Sequence, residues 1–532
     1  MKQAVAVAIA MVILMWSMAS AFAEQGSPIP EEVPRDHWSC REIEELGARY
    51  QVQEKLPDLP MIPRKELDEL FLGIMEQVAR KREAEGPEAI SREDRERLAA
   101  LNVALQADLK ANQAYLTRQD TFEKILEPPE EVSYLYKIGV KGFLSGEGTA
   151  NFAFSDFSYT PGHGVGLLLY RIKPYLEWRP ADWLELEVDG QVYGYTFNPQ
   201  HYTRFSLYQA YLELKPPAIK EMHLKIGRQE FVYGSAFILG ANSYYEGLTF
   251  DAARLRVRPI PELTMDLLAG SYAVPSTHLF DGLLAGAYLT YAPQEGTTAE
   301  VYYFRDAGIV FPHPGEHLEY LGLRGTARLG PVSLEVEPVY ETGQIANPNS
   351  GALDTVNAWG GHVDLLADME LFGFRNTFTV GYAYGSGSQD AADGRSLCRQ
   401  FSNIDNDTSL TGDMGFIGDL SGVTVNDVHA SGLHIVTAGW GINLLKELNF
   451  TTTARYFQAD RTPAGVSTTL GVETDFILTW TIDEDMALIA AYDRFFTGNF
   501  FRDATGRADD MQYGYLMFQF NFSGGKRKMS KR

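Results

Sequence analysis

From Tyr134 to Phe522 apolar and polar residues alternate with a period of two. This pattern constrains the fold most, because it gives an extended strand one apolar and one polar face. Leu184, Leu186, Val188 and Val192 alternate with Glu185, Glu187, Asp189 and Gln191. Tyr170, Ile172, Leu176 and Trp178 alternate with Arg171, Lys173, Tyr175 and Glu177. Leu255 and Val257 alternate with Arg254, Arg256 and Arg258, and Leu334 and Val336 with Glu335 and Glu337. The last run, Met511–Phe522, carries Leu516, Phe518, Phe520 and Phe522 on one face. Tyr513, Tyr515, Met517, Gln519 and Asn521 share the other.

About eighteen such strands are predicted. They lie near 134–145, 165–178, 183–195, 204–215, 221–230, 248–258, 262–273, 281–292, 298–306, 317–329, 332–342, 355–369, 373–386, 431–443, 447–459, 467–480, 485–496 and 511–522. Tight connections such as Pro180-Ala181-Asp182, Pro259–Pro261 and Gly330-Pro331 are mixed with long ones. The long ones are Thr196–Tyr202, Phe231–Gly247, Ala307–Glu316 and Ser386–Ala430. A soluble sandwich or solenoid is the alternative, but its polar face need not carry both Arg and Glu/Asp on strand after strand. In lipid every backbone donor must be paired, which a sheet achieves only by closing. The expected fold is an all-β transmembrane barrel of about 18 antiparallel strands, with a small N-terminal helical periplasmic region. Short turns would face the periplasm, and Met511–Phe522 would close the barrel against Tyr134–Ser145.

The N-terminus reads as a secretory signal over residues 1–23, with Lys2, an apolar Ala4–Ala19 stretch and the small-x-small Ala21-Phe22-Ala23. No later segment offers about 20 unbroken apolar residues, so a helical membrane protein is not expected. The formal charge is −24, and losing Lys2 with residues 1–23 makes it −25. That argues against a general nucleic-acid binder, which needs a basic face. Cys40 and Cys398 are the two cysteines, so the chain is no disulfide scaffold.

Residues 24–86 read as helical and acidic: Ile43 and Leu46 are helically spaced, and Leu67, Leu70, Phe71, Ile74 and Val78 form one stripe. Residues 87–127 read as a long helix, with Ser91 and Asp94 as a capping pair. Leu98, Leu101, Leu105, Leu109 and Leu116 form a seam with Asn112 inside it, either packed on their own domain or forming a self-associating stalk. Pro128-Pro129 ends the helix. A basic tail, 523–532, follows the last strand.

Leu224–Gly234 reads L-K-I-G-R-Q-E-F-V-Y-G, and Phe250-Asp251-Ala252-Ala253-Arg254 follows. These residues resemble the alginate-export family of outer-membrane barrels, with its G-R-Q-x-x-x-Y-G and F-D-G-x-R stretches; Ala252 stands where glycine is usual. The resemblance implies an eighteen-stranded channel over residues 134–522. Val33–Trp38 with Ile43 and Leu46, then Pro63–Leu67, resembles a single surface-layer-homology module. That resemblance implies binding to peptidoglycan or an attached wall polymer through Pro34, Arg35, Asp36, His37, Trp38 and Arg64. It also implies a stalked homotrimer in the outer membrane, the N-terminal region being periplasmic. Outer-membrane lipid and lipopolysaccharide are the expected surroundings.

The implied function is a porin-like channel for small polar or anionic solutes. A structural tether between outer membrane and wall, or a polysaccharide export channel, is the alternative. Arg171, Lys173, Arg254, Arg256, Arg258, Arg324 and Arg328 are the cationic lining candidates. Glu177, Glu185, Glu187, Asp189, Glu213, Glu335 and Glu337 are the acidic ones. Together they form either a transverse field that orients solutes or mutually satisfied ion pairs. Ser386–Ala430 holds seven Asp against two Arg and is a candidate lid or constriction; Phe231–Gly247 is a candidate gate. Asp405 and Asp407 are weak candidates for calcium. No cofactor or enzyme activity is expected: His313 and His317 have zinc spacing without the required Glu, and no Ser/His/acid set stands out.

Overall fold

The computed structural model describes residues 32–35, 37–52, 55–85, 90–91, 94, 97–98, 101–102, 105, 134–153, 158–197, 200–217, 219, 221–241, 246–274, 282–294, 296–307, 315–347, 349–397, 399–402 and 409–527. They fall into two compact units, one before Tyr134 and one from it onward.

In the first unit, strand Glu32–Pro34 pairs antiparallel with Met61–Pro63. Each strand leads into a helix, α1 (Trp38–Arg49) and α2 (Arg64–Glu85). Val33, Ile43, Leu46, Ile62, Leu67, Phe71, Ile74 and Val78 form the core, with Cys40 buried among them. The His37 imidazole caps α1 by accepting from the Ser39 N–H. Arg35 pairs with Glu44 on α1 and donates to the Pro57 carbonyl at 3.2 Å, tying the start of the unit to the connection between its two helices. Ser91 Oγ accepts from the Asp94 N–H at 3.0 Å, which is the cap the sequence predicts. Leu98, Leu101 and Leu105 are buried in this same core, so this part of the leucine seam packs on its own unit. Leu109, Asn112 and Leu116, Asp36 and the Trp38 side chain lie outside the described residues.

The second unit is a closed barrel of eighteen antiparallel strands. They are β1 (Tyr134–Ala150), β2 (Gly166–Ala181), β3 (Leu184–Phe197), β4 (Gln200–Leu214), β5 (Met222–Gln229) and β6 (Thr249–Ile260). Next come β7 (Leu263–Val274), β8 (Leu283–Gln294), β9 (Thr297–Ala307), β10 (His317–Leu329), β11 (Val332–Ala346) and β12 (Leu353–Leu371). The last six are β13 (Phe374–Gly385), β14 (Val428–Leu445), β15 (Leu448–Arg461), β16 (Thr469–Asp483), β17 (Met486–Thr497) and β18 (Met511–Arg527). Each pairs with the next, and β18 closes on β1 with Met517 opposite Ser145.

The closing strand runs past Phe522 to Arg527, pairing as far as Tyr134. The start of the expected tail is therefore strand. Its Ser523-Gly524-Gly525 has no apolar alternation to reveal it, but the backbone ladder needs none. A side chain at Gly525 would meet the Tyr136 carbonyl at 2.3 Å.

Leu516 and Phe522 are 55% and 43% exposed, whereas Tyr513 is 3% exposed. The outward face carries Leu144, Trp178, Val188, Leu321, Leu323, Trp359, Phe476 and Trp480, all exposed. An apolar outer band of this kind matches lipid rather than water. Turns of two residues join the strands at the end that holds the barrel's own chain ends, except between β4 and β5, where residues 215–221 intervene. At one of these turns, Phe372-Gly373, both residues have positive φ (56° and 78°), as a tight hairpin requires.

The long connections lie at the opposite end, and two of them fold inward; the expected long connection Thr196–Tyr202 is instead strand on both sides of residues 198–199, because the β3–β4 ladder continues to the Phe197–Gln200 pair. Phe231–Ala241 and the 386–427 segment contribute Phe231, Phe237, Phe401, Met414, Phe416, Ile417 and Leu420 to one apolar cluster with the inner-face residues Phe304, Tyr320, Phe457 and Phe495. The second segment holds a short helix (Gln389–Ala392) and a strand (Gly422–Val425) that hairpins onto the start of β14. β14 consequently begins earlier than the alternation shows.

Candidate channel interior

The inner-face acids hold the inward segments in place. Tyr233 donates to Asp266 at 3.1 Å and Ser235 to Glu337 at 3.0 Å. Ser402 donates to Glu341 through its N–H at 2.8 Å and its hydroxyl at 2.9 Å. The Met414 N–H donates to Glu473 at 3.2 Å. Rings lock the arrangement: Phe237 stacks on Phe401 at 5.9 Å, and Phe416 meets Phe495 edge-on at 5.7 Å. Asp266, Glu341 and Glu473 were not singled out from the sequence. Their period-two position marks them as inward-facing but says nothing about which loop they meet.

The cationic candidates divide into answered and unanswered charges. Arg256 is opposite Asp266 across β6–β7 and grips it with two bonds of 2.7 Å. Arg324 reaches Glu300 at 2.8 Å, Glu335 at 2.7 Å and Glu337 at 3.7 Å. Arg171 donates to Gln191 at 2.8 Å and lies over the Tyr208 ring; Lys173 lies over the same ring, with Glu230 at 4.0 Å. A cavity of about 340 Å³ adjoins these two cations, with Asp483, Gln519 and Asn521 also in its wall. Arg254, Arg258 and Arg328 have no ion pair within 4 Å among the described residues.

The acidic candidates are largely paired. Glu177 has Lys137 and Arg179 at 3.9 Å each, and Glu185 has Arg179 and Lys215 at 3.2 Å each. Tyr211 donates to Glu187, and the fully buried Asp189 has Lys141 at 3.3 Å. Glu213 meets His223 at 3.0 Å and Lys225 at 4.0 Å. Glu335 and Glu337 share Arg324, and Glu337 is buried rather than open to a lumen. On β1–β7 the two signs interleave instead of separating into a cationic and an acidic wall. Cross-strand neighbours of opposite charge satisfy each other at short range, and that outcompetes segregation.

Glu335, Glu337 and His362 bring ligand atoms within 4.8 Å of one another. Their donors and acceptors are already engaged: Arg324 holds Glu335, Tyr302 donates to Glu337 at 2.7 Å, and His362 Nδ1 lies 2.6 Å from Asp364. Ser235 Oγ is 3.3 Å from His362 Nε2, but its hydroxyl goes to Glu337. The histidine between two carboxylates serves as a clamp on the inward segment. Asp405 and Asp407 lie outside the described residues.

The stretch that carries the family resemblance starts the inward segment. Gly227 has φ +124°, and a side chain there would meet the Ala210 carbonyl at 2.3 Å. Gln229 is buried and donates to the Ala252 carbonyl at 3.1 Å. Arg228 and Asp251 are opposite each other across β5–β6 and join through two bonds of 2.8 Å on the outer face. Residues 193–514 match the alginate export family. The chain belongs to the alginate export family.

Solved structures of Pseudomonas aeruginosa proteins share this fold. Pseudomonas aeruginosa OccK5 (OpdH) superposes with a TM-score of 0.50 at 11% identity, covering 73% of this chain and 98% of that one. OpdL from the same organism gives 0.50 at 14% identity, covering 74% and 99%. OccK2 (OpdF), solved in complex with glucuronate, gives 0.50 at 14% identity with the same coverage. At these identities the likeness is one of fold. No curated protein sequence matches the chain. Family, closed strand array and apolar outer band together make this alginate-export barrel an outer-membrane protein.

Proposed function

We propose that this barrel is a porin-like channel for small polar or anionic solutes. The supporting observation is the unanswered positive charge on the inner face of β6: Arg254 and Arg258 have no acid within 4 Å among the described residues, and Arg254 is opposite Lys225. Like charges held side by side attract an anion. A carboxylated sugar of the kind present in the OccK2 structure carries that charge on a small polar frame. The channel-lining roles of Arg171, Lys173, Arg254, Arg258, Arg324 and Arg328 belong to this proposal. Reversal potentials across planar bilayers under a salt gradient test it. Neutral substitution of Arg254, Arg256 and Arg258 together is expected to lower anion preference, and unchanged potentials or negligible wild-type conductance would sink the reading.

A second role is proposed for the first unit, anchoring to peptidoglycan or an attached wall polymer from the periplasm. Its support is the self-contained core of helices and paired strands, in which Glu32–Pro34 and Met61–Pro63 join the two motif halves. Co-sedimentation with purified peptidoglycan is expected for the full chain and lost when residues 24–86 are deleted. Equal sedimentation of both forms refutes the anchor.

A further inference from the structure

The cavity beside Arg171 and Lys173 carries both signs of charge, one at each end. Its volume of about 340 Å³ is enough for one small solute. Strand register explains the arrangement. From β2 through β1, β18 and β17 to β16, Arg171 is opposite Phe143, Phe143 opposite Gln519, Gln519 opposite Ala487, and Ala487 opposite Thr481. Directly opposed residues share a face, so these form one continuous row on the inner wall. Lys173, Asn521 and Asp483 each follow a member of that row by two residues, toward the turn end of the barrel. Residues two apart on a strand point the same way. A second row therefore repeats the first, with Lys173 at one end and Asp483 at the other. Both charges line the cavity, and so do the amides of Gln519 and Asn521 between them.

The acidic end is unanswered. Asp483, Glu484 and Asp485 have no cation within 4 Å among the described residues. At the cationic end Lys173 lies over the Tyr208 ring and has Glu230 at 4.0 Å. Four strand spacings of about 4.8 Å each separate β2 from β16, so the two ends do not neutralise each other. A solute with one sign of charge is attracted at one end and repelled at the other. A solute with opposite charges at its two ends is attracted at both. An extended peptide of about three residues covers roughly 10 Å, and the Arg171, Lys173 and Asp483 side chains reach toward it from either end. Its backbone groups match the exposed Gln519 and Asn521 amides, which each donate and accept.

We propose that this cavity binds a short zwitterionic peptide, with its C-terminal carboxylate at Lys173 and Arg171 and its N-terminal ammonium at Asp483. The site rests on the channel reading above and names a solute class for it. Register, not local sequence, makes the site, because its two charged ends are about three hundred residues apart in the chain.

The test is a saturation-transfer NMR titration of trialanine into the full-length protein in detergent, with block of single-channel current by the same peptide measured in planar bilayers. Saturable binding in the millimolar range is expected. N-acetyl-trialanine and trialanine amide, which each lack one terminal charge, should bind at least about tenfold more weakly. Asp483→Asn is expected to weaken trialanine by a similar factor and to leave the acetylated peptide, which has no ammonium, unweakened. Lys173→Gln should weaken trialanine and leave the amidated peptide unweakened. Glu447→Gln, in the neighbouring turn outside the cavity, should change none of these affinities. Asp483 is exposed at a strand end, so its variant carries the test should Lys173→Gln fail to fold. Absence of saturable binding overturns the site. Equal affinity for the three peptides, or for wild type and Asp483→Asn, does the same. Charge-dependent binding in a protein with negligible conductance upholds the site and sinks the channel reading. Conductance without binding or block by trialanine upholds the channel and overturns the site.

Discussion

Arg254 lies directly across the β5–β6 pairing from Lys225, two like charges held side by side on the inner face of the barrel. One step along the strand, Arg256 faces His223 on one side and Asp266 on the other. Two arginines of one run thus have opposite electrostatic roles. Like charges directly opposite each other cost about 0.2–1 kcal/mol. We predict that Arg254→Gln leaves Tm unchanged or raises it while lowering anion selectivity. Paired thermal unfolding and reversal-potential measurements decide this; a large loss of stability would mean that Arg254 has a structural partner.

Arg256→Gln is predicted to act the other way. It removes both bonds to Asp266, whose side chain is nearly buried and also accepts from Tyr233. The expected loss is on the order of 1–3 kcal/mol, read as a lower unfolding midpoint. The double change Arg256→Gln with Asp266→Asn should recover part of it, because the orphaned charge is gone.

Ser235→Ala should loosen the inward Phe231–Ala241 segment without unfolding the barrel. It deletes the donor to Glu337 beside His362, a loss of about 1 kcal/mol. Larger or noisier single-channel conductance is expected. Phe401→Ala removes the stacking partner of Phe237 and a fully buried ring, costing about 3–5 kcal/mol of local packing, and should raise conductance further. Conductance identical to wild type in both variants would show that these segments do not narrow the path.

Gly227→Ala is predicted to lower the refolded yield. Its φ of +124° and the 2.3 Å approach to the Ala210 carbonyl leave no room for a side chain. The backbone strain alone is about 1–3 kcal/mol. Heat-modifiable migration of the refolded barrel on a gel is the readout.

The inward 386–427 segment should weaken as pH rises. Burial pushes the Asp419 carboxyl above its ordinary range, against the hydrogen bonds that Ser421 gives it. The folded state then holds the proton more tightly than the unfolded state. The associated stability is complete below the ordinary aspartate range and falls as pH climbs to the raised value. Proteolysis of the segment should therefore accelerate with pH, and Asp419→Asn should flatten the profile. A profile unaltered by that substitution removes Asp419 as the cause.

The alternation from Tyr134 to Phe522 was sufficient to number the strands, assign their two faces and pair the last with the first. Period two is local, and a one-residue error would turn every side chain to the wrong face. The Ser91–Asp94 cap was readable for the same reason, its partners being three residues apart. The stretch around Gly227-Arg228-Gln229 gave the family, but not the reason for its residues. That Arg228 grips Asp251, that Gly227 passes under a carbonyl and that Gln229 is buried are consequences of strand register. The sequence likewise showed Glu337 as one more inward acid. Only the tertiary structure made it the anchor of Ser235, left Arg254 without an answering acid, and set Lys173 and Asp483 in the wall of one cavity. Those roles depend on where the inward segments land and on which side chains face each other across strands. They are contacts between residues distant in sequence, and no local period encodes them.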